Sequence, residues 1–320
     1  MSAKSAKSER DGPAVFLPPE AFGESIGLTD DDTHLELSSA SAWDIATRYH
    51  EFKSQAHVKR DKKLSDHLRK LSASAVLERA QAIMGSVVHP VEYRSSPWSE
   101  LPENAEQPDI EMDDTVENSA LGIKSGSLTA DDIWMSFHVP RRQAIVLSVD
   151  TSLSMTGEKL ALTAVALAVV LLQFPDDPIG IVAFENESKI LKRPDEKISL
   201  QQLLERFLDV PAQGYTHLED GMRTALQLVR SGTIHGQGRS ASTVLLTDGK
   251  YTAGKDPAYL ASRFPHLVVL KMGGERASLE LCREMARKGR GALREVAELE
   301  ELPLVMYGVV KDLLRGRSLS

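Results

Sequence analysis

The sequence has little cysteine: Cys282 is the single one in 320 residues. That excludes an intrachain disulfide and a cysteine-ligated zinc cluster, and it suits a reducing compartment. Positive charge is not in excess either. The formal net charge is −8, which does not favour non-specific binding to nucleic acid or to acidic lipid. Long apolar runs are missing. The longest, residues 160–172, falls short of the roughly 20 residues a bilayer demands, and a buried helix explains it better. The opening stretch MSAKSAKSERDG has no apolar core behind its charges, so no secretory signal is expected. There is no Walker A motif, and the nine histidines show no HExxH spacing. No internal repeat is visible. These absences point to a cytoplasmic protein without membrane insertion and without a nucleic-acid role. What is present is ordinary for a globular chain with a core: 42% hydrophobic and 26% charged residues. At roughly 150 residues per domain, the length suits one large domain and a smaller element.

Composition divides the chain. Residues 1–40 read as a largely irregular segment with Pro13, Pro18 and Pro19, and the triplet Asp30, Asp31, Asp32 lacks the glycine and glutamate of a calcium loop. Residues 41–94 read as a helical extension. Ser41 and Asp44 mark a helix start, Trp43, Ile45, Tyr49 and Phe52 share a face, and a second run ends near Gly85. Lys53, Lys59, Arg60, Lys62, Lys63, Arg69 and Lys70 make this part basic. The ordinary reading is a solvated helix face, the alternative a docking surface for an acidic partner. Residues 95–127 read as an acidic linker containing Pro97, Pro102 and Pro108, unable to bury enough apolar surface to order itself.

Residues 128–320 alternate regularly. Strands are expected at 143–149, 179–184, 189–191, 243–247, 267–271 and 292–296, and helices at 159–174, 203–208, 217–229, 277–287 and 299–314. The helix 159–174 is apolar nearly all round. Short apolar strands alternating with helices give an α/β, doubly wound, mainly parallel sheet covered on both faces, Rossmann-like in plan.

In such sheets ligands gather beyond the carboxyl ends of the strands. The first strand of the sheet ends in Asp150, Thr151, Ser152, Leu153, Ser154; the loop before the helix at 217 carries Gly214, Tyr215, Thr216; the strand 243–247 ends in Asp248, Gly249. Singly, each has a plain explanation, since serine and threonine cap helices and Asp-Gly makes turns. Together they place two carboxylates and three hydroxyls, all hard oxygen donors, at one sheet edge, which suits Mg²⁺ or Ca²⁺ rather than zinc or copper. Asp150 and Thr216 are both expected at the exposed edge of the sheet. Asp176, Asp177 and Glu185 read as solvated loop charges, and His217 as a helix-start residue. Cys282 reads as core packing. Asn186, Glu187, Ser188 match a glycosylation sequon without relevance in the absence of secretion, and Gly236, Gln237, Gly238 a flexible loop.

Asp150, Thr151, Ser152, Leu153, Ser154, Met155, with Thr216 and the pair Asp248, Gly249, resemble the metal-ion-dependent adhesion site (MIDAS) of von Willebrand factor A domains, over about residues 140–316. The resemblance implies that Ser152, Ser154 and Thr216 are direct metal ligands with Asp150 and Asp248 around them. It also implies Mg²⁺ as the ion, with Ca²⁺ or Mn²⁺ as alternatives, and an Asp or Glu of a protein partner completing the coordination. Leu153 departs from the glycine many relatives carry and implies a stiffer loop. A helical extension with Ala130, Asp131, Asp132, Ile133 leading into the domain resembles the partners of MoxR-type AAA+ ATPases. The function so implied is a non-enzymatic, metal-dependent protein-binding adaptor or co-chaperone. The alternatives are an accessory subunit of a magnesium- or cobalt-chelatase-like enzyme, suggested by the acidic linker, and a metal-dependent hydrolase, which would need a base beside Ser152 that the sequence does not offer.

Overall fold

The computed structural model describes residues 41–85, 94–102, 105–118, 128–138, 144–212, 214–231, 241–273, 276 and 278–315. The expectations for residues 1–40 and for the loop at Gly236 lie outside them. No helix among the described residues is long and apolar enough to cross a membrane.

The chain starts with four helices, α1 (Ala42–Thr47), α2 (Tyr49–Ser54), α3 (Ala56–Arg60) and α4 (Lys62–Met84). Ser41 and Asp44 form a reciprocal capping box at α1, and the Asp61 carboxylate caps α4 through Lys63 and Leu64. Ile45, Tyr49 and Phe52 are buried, while Trp43 is half-buried with the Arg79 guanidinium 4.3 Å from its ring centre.

Next come β1 (Arg94–Pro97), β2 (Glu106–Ile110), α5 (Met112–Asn118) and β3 (Trp134–His138). The three strands make an antiparallel sheet in the order β1-β3-β2. For the described residues 95–102 and 105–118, this corrects the expectation that the segment cannot order itself. Order here comes from main-chain pairing with a distant strand and from polar locks. Thr115 Oγ1 accepts the Trp134 N–H (2.9 Å), and Ser95 donates to Asp114 (2.7 Å). Neither leaves an apolar period in the sequence.

The main sheet follows: β4 (Ile145–Asp150), α6 (Glu158–Gln173), β5 (Ile179–Phe184), β6 (Ser188–Lys192), α7 (Leu200–Leu208), α8 (Leu218–Ser231), β7 (Ser242–Thr247), α9 (Ala258–Ala261), β8 (His266–Met272), α10 (Leu279–Lys288), β9 (Leu293–Val296) and α11 (Leu302–Leu314). Strand order is β6-β5-β4-β7-β8-β9, parallel except for the antiparallel edge strand β6. The order reverses around β4, which is the switch point where a doubly wound sheet opens a crevice.

Alternate residues of the strands feed two cores. Val146, Val182, Leu245 and Val269 pack with α8, α9 and α10. Leu147, Ile181, Leu246 and Leu270 pack with α6, α7, α11 and the N-terminal helices. α4 lies against α6 and α7, so α6 is enclosed between the sheet and a further helical layer. Every residue of α6 from Leu160 to Val170 is accordingly buried, which is why this helix is apolar all round. Part of the basic character of the extension is internal too. Lys53 Nζ donates to the carbonyls of Asp209 (3.0 Å) and Leu208 (3.4 Å) at the end of α7, and Arg69 Nη1 meets Asp209 Oδ2 at 2.7 Å.

Candidate metal centre

Two strand-to-helix connections, after β4 and after β7, meet the helix-to-helix loop between α7 and α8. Asp150 ends β4. Its Oδ1 accepts the Ser152 N–H (2.9 Å) and its Oδ2 the Thr247 hydroxyl (2.8 Å) from the end of β7. Burial pushes this carboxyl up to about 6. The Ser152 and Thr247 hydrogen bonds pull it down, and the charge of Asp248 pushes it further up.

The chain then makes a 3₁₀ turn, Leu153–Met155, anchored by the buried side chain of Met155. That turn brings Ser152 Oγ and Ser154 Oγ within 3.3 Å of each other, the first buried and the second exposed.

Thr216 sits on the loop before α8. Its N–H donates to Thr252 Oγ1 (2.9 Å), and its carbonyl accepts the N–H groups of Thr252 (3.1 Å) and Ala253 (3.3 Å). The Leu153 N–H donates to the Gly214 carbonyl at 3.4 Å, so the three loops are stitched to one another.

Asp248 uses Oδ1 to accept the Lys250 N–H (3.0 Å); its Oδ2 is buried and has no hydrogen-bond partner. The turn that follows needs glycine. Gly249 has φ +79°, and a Cβ there would fall 2.7 Å from Cys282 Sγ and 2.8 Å from Ser278 Cβ.

Asp150 and Thr216 are not at the exposed edge the sequence suggested: they are 0% and 4% exposed. The loops fold back over the strand ends, and main-chain hydrogen bonds seal them there.

Glu185 is also corrected. It is buried, and its Oε2 accepts the Gly214 N–H (2.9 Å), while its carbonyl accepts the His217 N–H (2.7 Å). Next to it, Asn186 Oδ1 accepts the Tyr215 N–H (2.8 Å) and the Asn186 carbonyl lies 3.1 Å from His217 Nδ1. Glu185 and Asn186 thus grip the loop that carries Thr216 from both sides. Their sequence looks like any polar turn, so nothing in it pointed to this role. Thr247, which fixes Asp150, was legible only as the residue before Asp248. Asp176 and Asp177 lie at the other end of the sheet, before β5 begins. Cys282 is buried in the core, where burial pushes its thiol up to about 11.

The donor set is oxygen only. Among the described residues, no three His, Cys, Asp or Glu side chains group as a metal cage, so a cation held here would need the hydroxyls as well as the carboxylates. The buried Asp248 oxygen without a partner, the raised Asp150 carboxyl and the paired serine hydroxyls fit a hard divalent cation.

Residues 145–250 match the family model of the von Willebrand factor type A domain. The fold of this part of the chain is von Willebrand factor A-like, a mostly parallel α/β sheet covered by helices. The human inter-alpha-trypsin inhibitor heavy chain H6 is 23% identical over 205 residues, covering 57% of this chain and 16% of that protein. The chain therefore spans about a sixth of that relative's length. Among solved structures, the conserved hypothetical protein BatB from Bacteroides thetaiotaomicron is similar with a TM-score of 0.44 and 16% identity, over 54% of this chain and 99% of that one. A von Willebrand factor type A protein from Catenulispora acidiphila is similar with a TM-score of 0.45 and 16% identity, over 56% of this chain and 44% of that one. The candidate metal residues from Asp150 to Asp248 all fall within the matched stretch.

Proposed function

We propose that this A domain is a metal-dependent protein-binding module of MIDAS type, with Ser152, Ser154 and Thr216 as direct ligands of a Mg²⁺ ion and Asp150 and Asp248 around it. One observation carries the reading. Asp248 Oδ2 is buried and unpartnered beside a second buried carboxylate, Asp150, an arrangement that costs free energy unless a cation is supplied. A bound divalent ion supplies an electrophilic centre that takes a carboxylate from another protein. The chain's own groups position it: Thr247 and the Ser152 amide fix Asp150, Lys250 fixes Asp248, and Glu185 with Asn186 fixes the Thr216 loop.

Binding is favoured over hydrolysis because Ser152 Oγ is hydrogen-bonded to Ser154 Oγ, and His217 turns its Nδ1 toward the Asn186 carbonyl. We further propose that the protein acts in the cytoplasm as an adaptor or co-chaperone that links its target to a MoxR-type AAA+ ATPase. The helical layer α1–α4 supports this, since it adds a second surface on the face of the sheet bounded by α6 while the metal edge keeps Ser154 exposed. The chelatase alternative loses the feature that suggested it, because much of the 95–127 segment forms strands and a helix.

The test is to co-purify tagged full-length chain from its own cells in Mg²⁺ and in EDTA, with Thr216→Ala as a control. A partner retained only by the parent in Mg²⁺ supports the reading. Equal retention by Thr216→Ala in EDTA would overturn it.

A further inference from the structure

Three large side chains stand exposed at the metal edge: Leu153 (61%), Tyr215 (68%) and Tyr251 (40%). Isolated exposed apolar residues are common and call for no explanation. These three are not isolated. Leu153 lies between Ser152 and Ser154, Tyr215 directly precedes Thr216, and Tyr251 follows Asp248 by three residues. Main-chain hydrogen bonds join the loops at Leu153 itself and one residue away from each tyrosine. The Leu153 N–H donates to Gly214 O (3.4 Å), and the Thr252 N–H donates to Thr216 O (3.1 Å). The backbone beneath them is also held, since Asn186 Oδ1 takes the Tyr215 N–H. A hydrogen-bonded backbone that displays exposed apolar side chains is the build of a recognition surface.

Lys250 and Lys255 are exposed on the connection after β7, and Lys159, in the first turn of α6, is half-buried. Lys159 Nζ is drawn to the Ser154 carbonyl at 3.1 Å, so one of these ammonium groups sits beside a candidate ligand. A carboxylate held at the metal would bring apolar groups on either side of it to Leu153 and the tyrosine rings.

We infer that this edge reads a protein segment in which an Asp or Glu side chain is flanked by apolar side chains, with Leu153, Tyr215 and Tyr251 setting the preference for the flanks. The inference rests on the metal reading above and adds the specificity of the same site. The carboxylate supplies the metal dependence, and the flanks supply the choice among carboxylates. Leu153 then has a role of its own: where glycine would leave the turn bare, this chain presents an apolar contact.

The experiment uses full-length protein and three fluorescein-labelled cyclic peptides, with Leu-Asp-Leu, Gly-Asp-Gly or Leu-Asn-Leu at the tip, read by fluorescence anisotropy in Mg²⁺. Mg²⁺ binding itself is measured separately by calorimetry. The expected result is that Leu-Asp-Leu binds at least about tenfold more tightly than Gly-Asp-Gly, and that Leu-Asn-Leu does not bind. Leu153→Ser, Tyr215→Ser and Tyr251→Ser combined should bring the first two peptides to within about twofold while Mg²⁺ affinity stays at the parent value. If Mg²⁺ binds but the Leu and Gly peptides bind alike, or no peptide binds, the flank inference is overturned and the metal reading stands. Equal binding of Leu-Asn-Leu overturns it as well. If calorimetry shows no Mg²⁺ binding, the metal reading fails and the inference falls with it.

Discussion

Individual side chains at the metal edge differ in how much the fold depends on them. The Ser152 hydroxyl is engaged with Ser154 Oγ at 3.3 Å, and Thr216 is fixed through its main chain. Ser152→Ala and Thr216→Ala should therefore lower divalent-ion affinity by about tenfold or more in calorimetric titration. Urea melts should move by no more than about 1 kcal/mol. Asp150→Ala is a different case. Its oxygens serve the Ser152 amide and the Thr247 hydroxyl, and removing both acceptors inside the fold should cost about 1–3 kcal/mol in addition to the metal. A melt of Asp150→Ala identical to that of Thr216→Ala would contradict this distinction. Asn186 is a positioning residue. Asn186→Ala frees the Tyr215 amide and should weaken Mg²⁺ several-fold, whereas Asn186→Asp, which keeps the Oδ1 acceptor, should restore most of it. Equal loss in both variants would point to a structural role alone.

Among the elements, those with an apolar period were readable before any coordinates. The strand expected at 179–184 is β5 residue for residue, and β7, β8 and β9 begin or end within a residue or so of expectation. Asp150, Ser152, Ser154, Thr216 and Asp248 were legible for the same reason, since each follows a strand or precedes a helix that the pattern locates. β1 to β3 were not. Their strands are short, β1 and β2 are polar and contain proline, and β1 pairs with a strand some forty residues away, as Arg94 opposite Phe137 shows. The four-residue α9 was missed as well, being too short to show a period. The packing of α4 on the domain was half legible. A helix as apolar as α6 announces a second covering layer, but the sequence does not say which segment provides it. Two kinds of contact hold that layer, and they should differ in magnitude. The Arg69–Asp209 pair is partly exposed, at 23% and 38% of the side chains, so a double-mutant cycle should give only about 0.5–1 kcal/mol. Leu68 is fully buried in the shared core, and Leu68→Ala should cost about 2–5 kcal/mol in a denaturant melt. A Leu68→Ala cost as small as that of the ion pair would mean that the layer is loosely attached.

For the molecule as a whole, the helical layer makes stability depend on pH through His50. Its Nε2 is buried without a hydrogen-bond partner. Burial, with a further push from the Lys53 charge and an opposing pull from Asp209, lowers its pKa from 6.5 to about 4. The folded state thus binds fewer protons than the unfolded one between those values. The stabilising contribution is complete above about pH 6.5, declines as the pH falls toward 4, and changes no further below that. The loss should amount to roughly 2–3 kcal/mol for this group. Carboxylates titrate in the same range, so the informative quantity is a difference: parent minus His50→Phe, measured by urea melts from pH 8 to pH 4. That difference should shrink or reverse in favour of the variant as the pH drops through 6. A constant difference across the range would show that His50 is not buried as described. The same layer predicts what truncation does. A chain beginning at residue 128 keeps the sheet, α6 and the metal edge but uncovers the side of α6 on which α4 lies. That side is apolar along its length, and an apolar face of such size exposed to water drives association. The truncated domain should bind a hydrophobic dye, elute as an oligomer in size exclusion and melt at lower denaturant than the full chain. A monomeric, dye-silent fragment with the parent's midpoint would mean that α1–α4 are an appendage and not part of the fold.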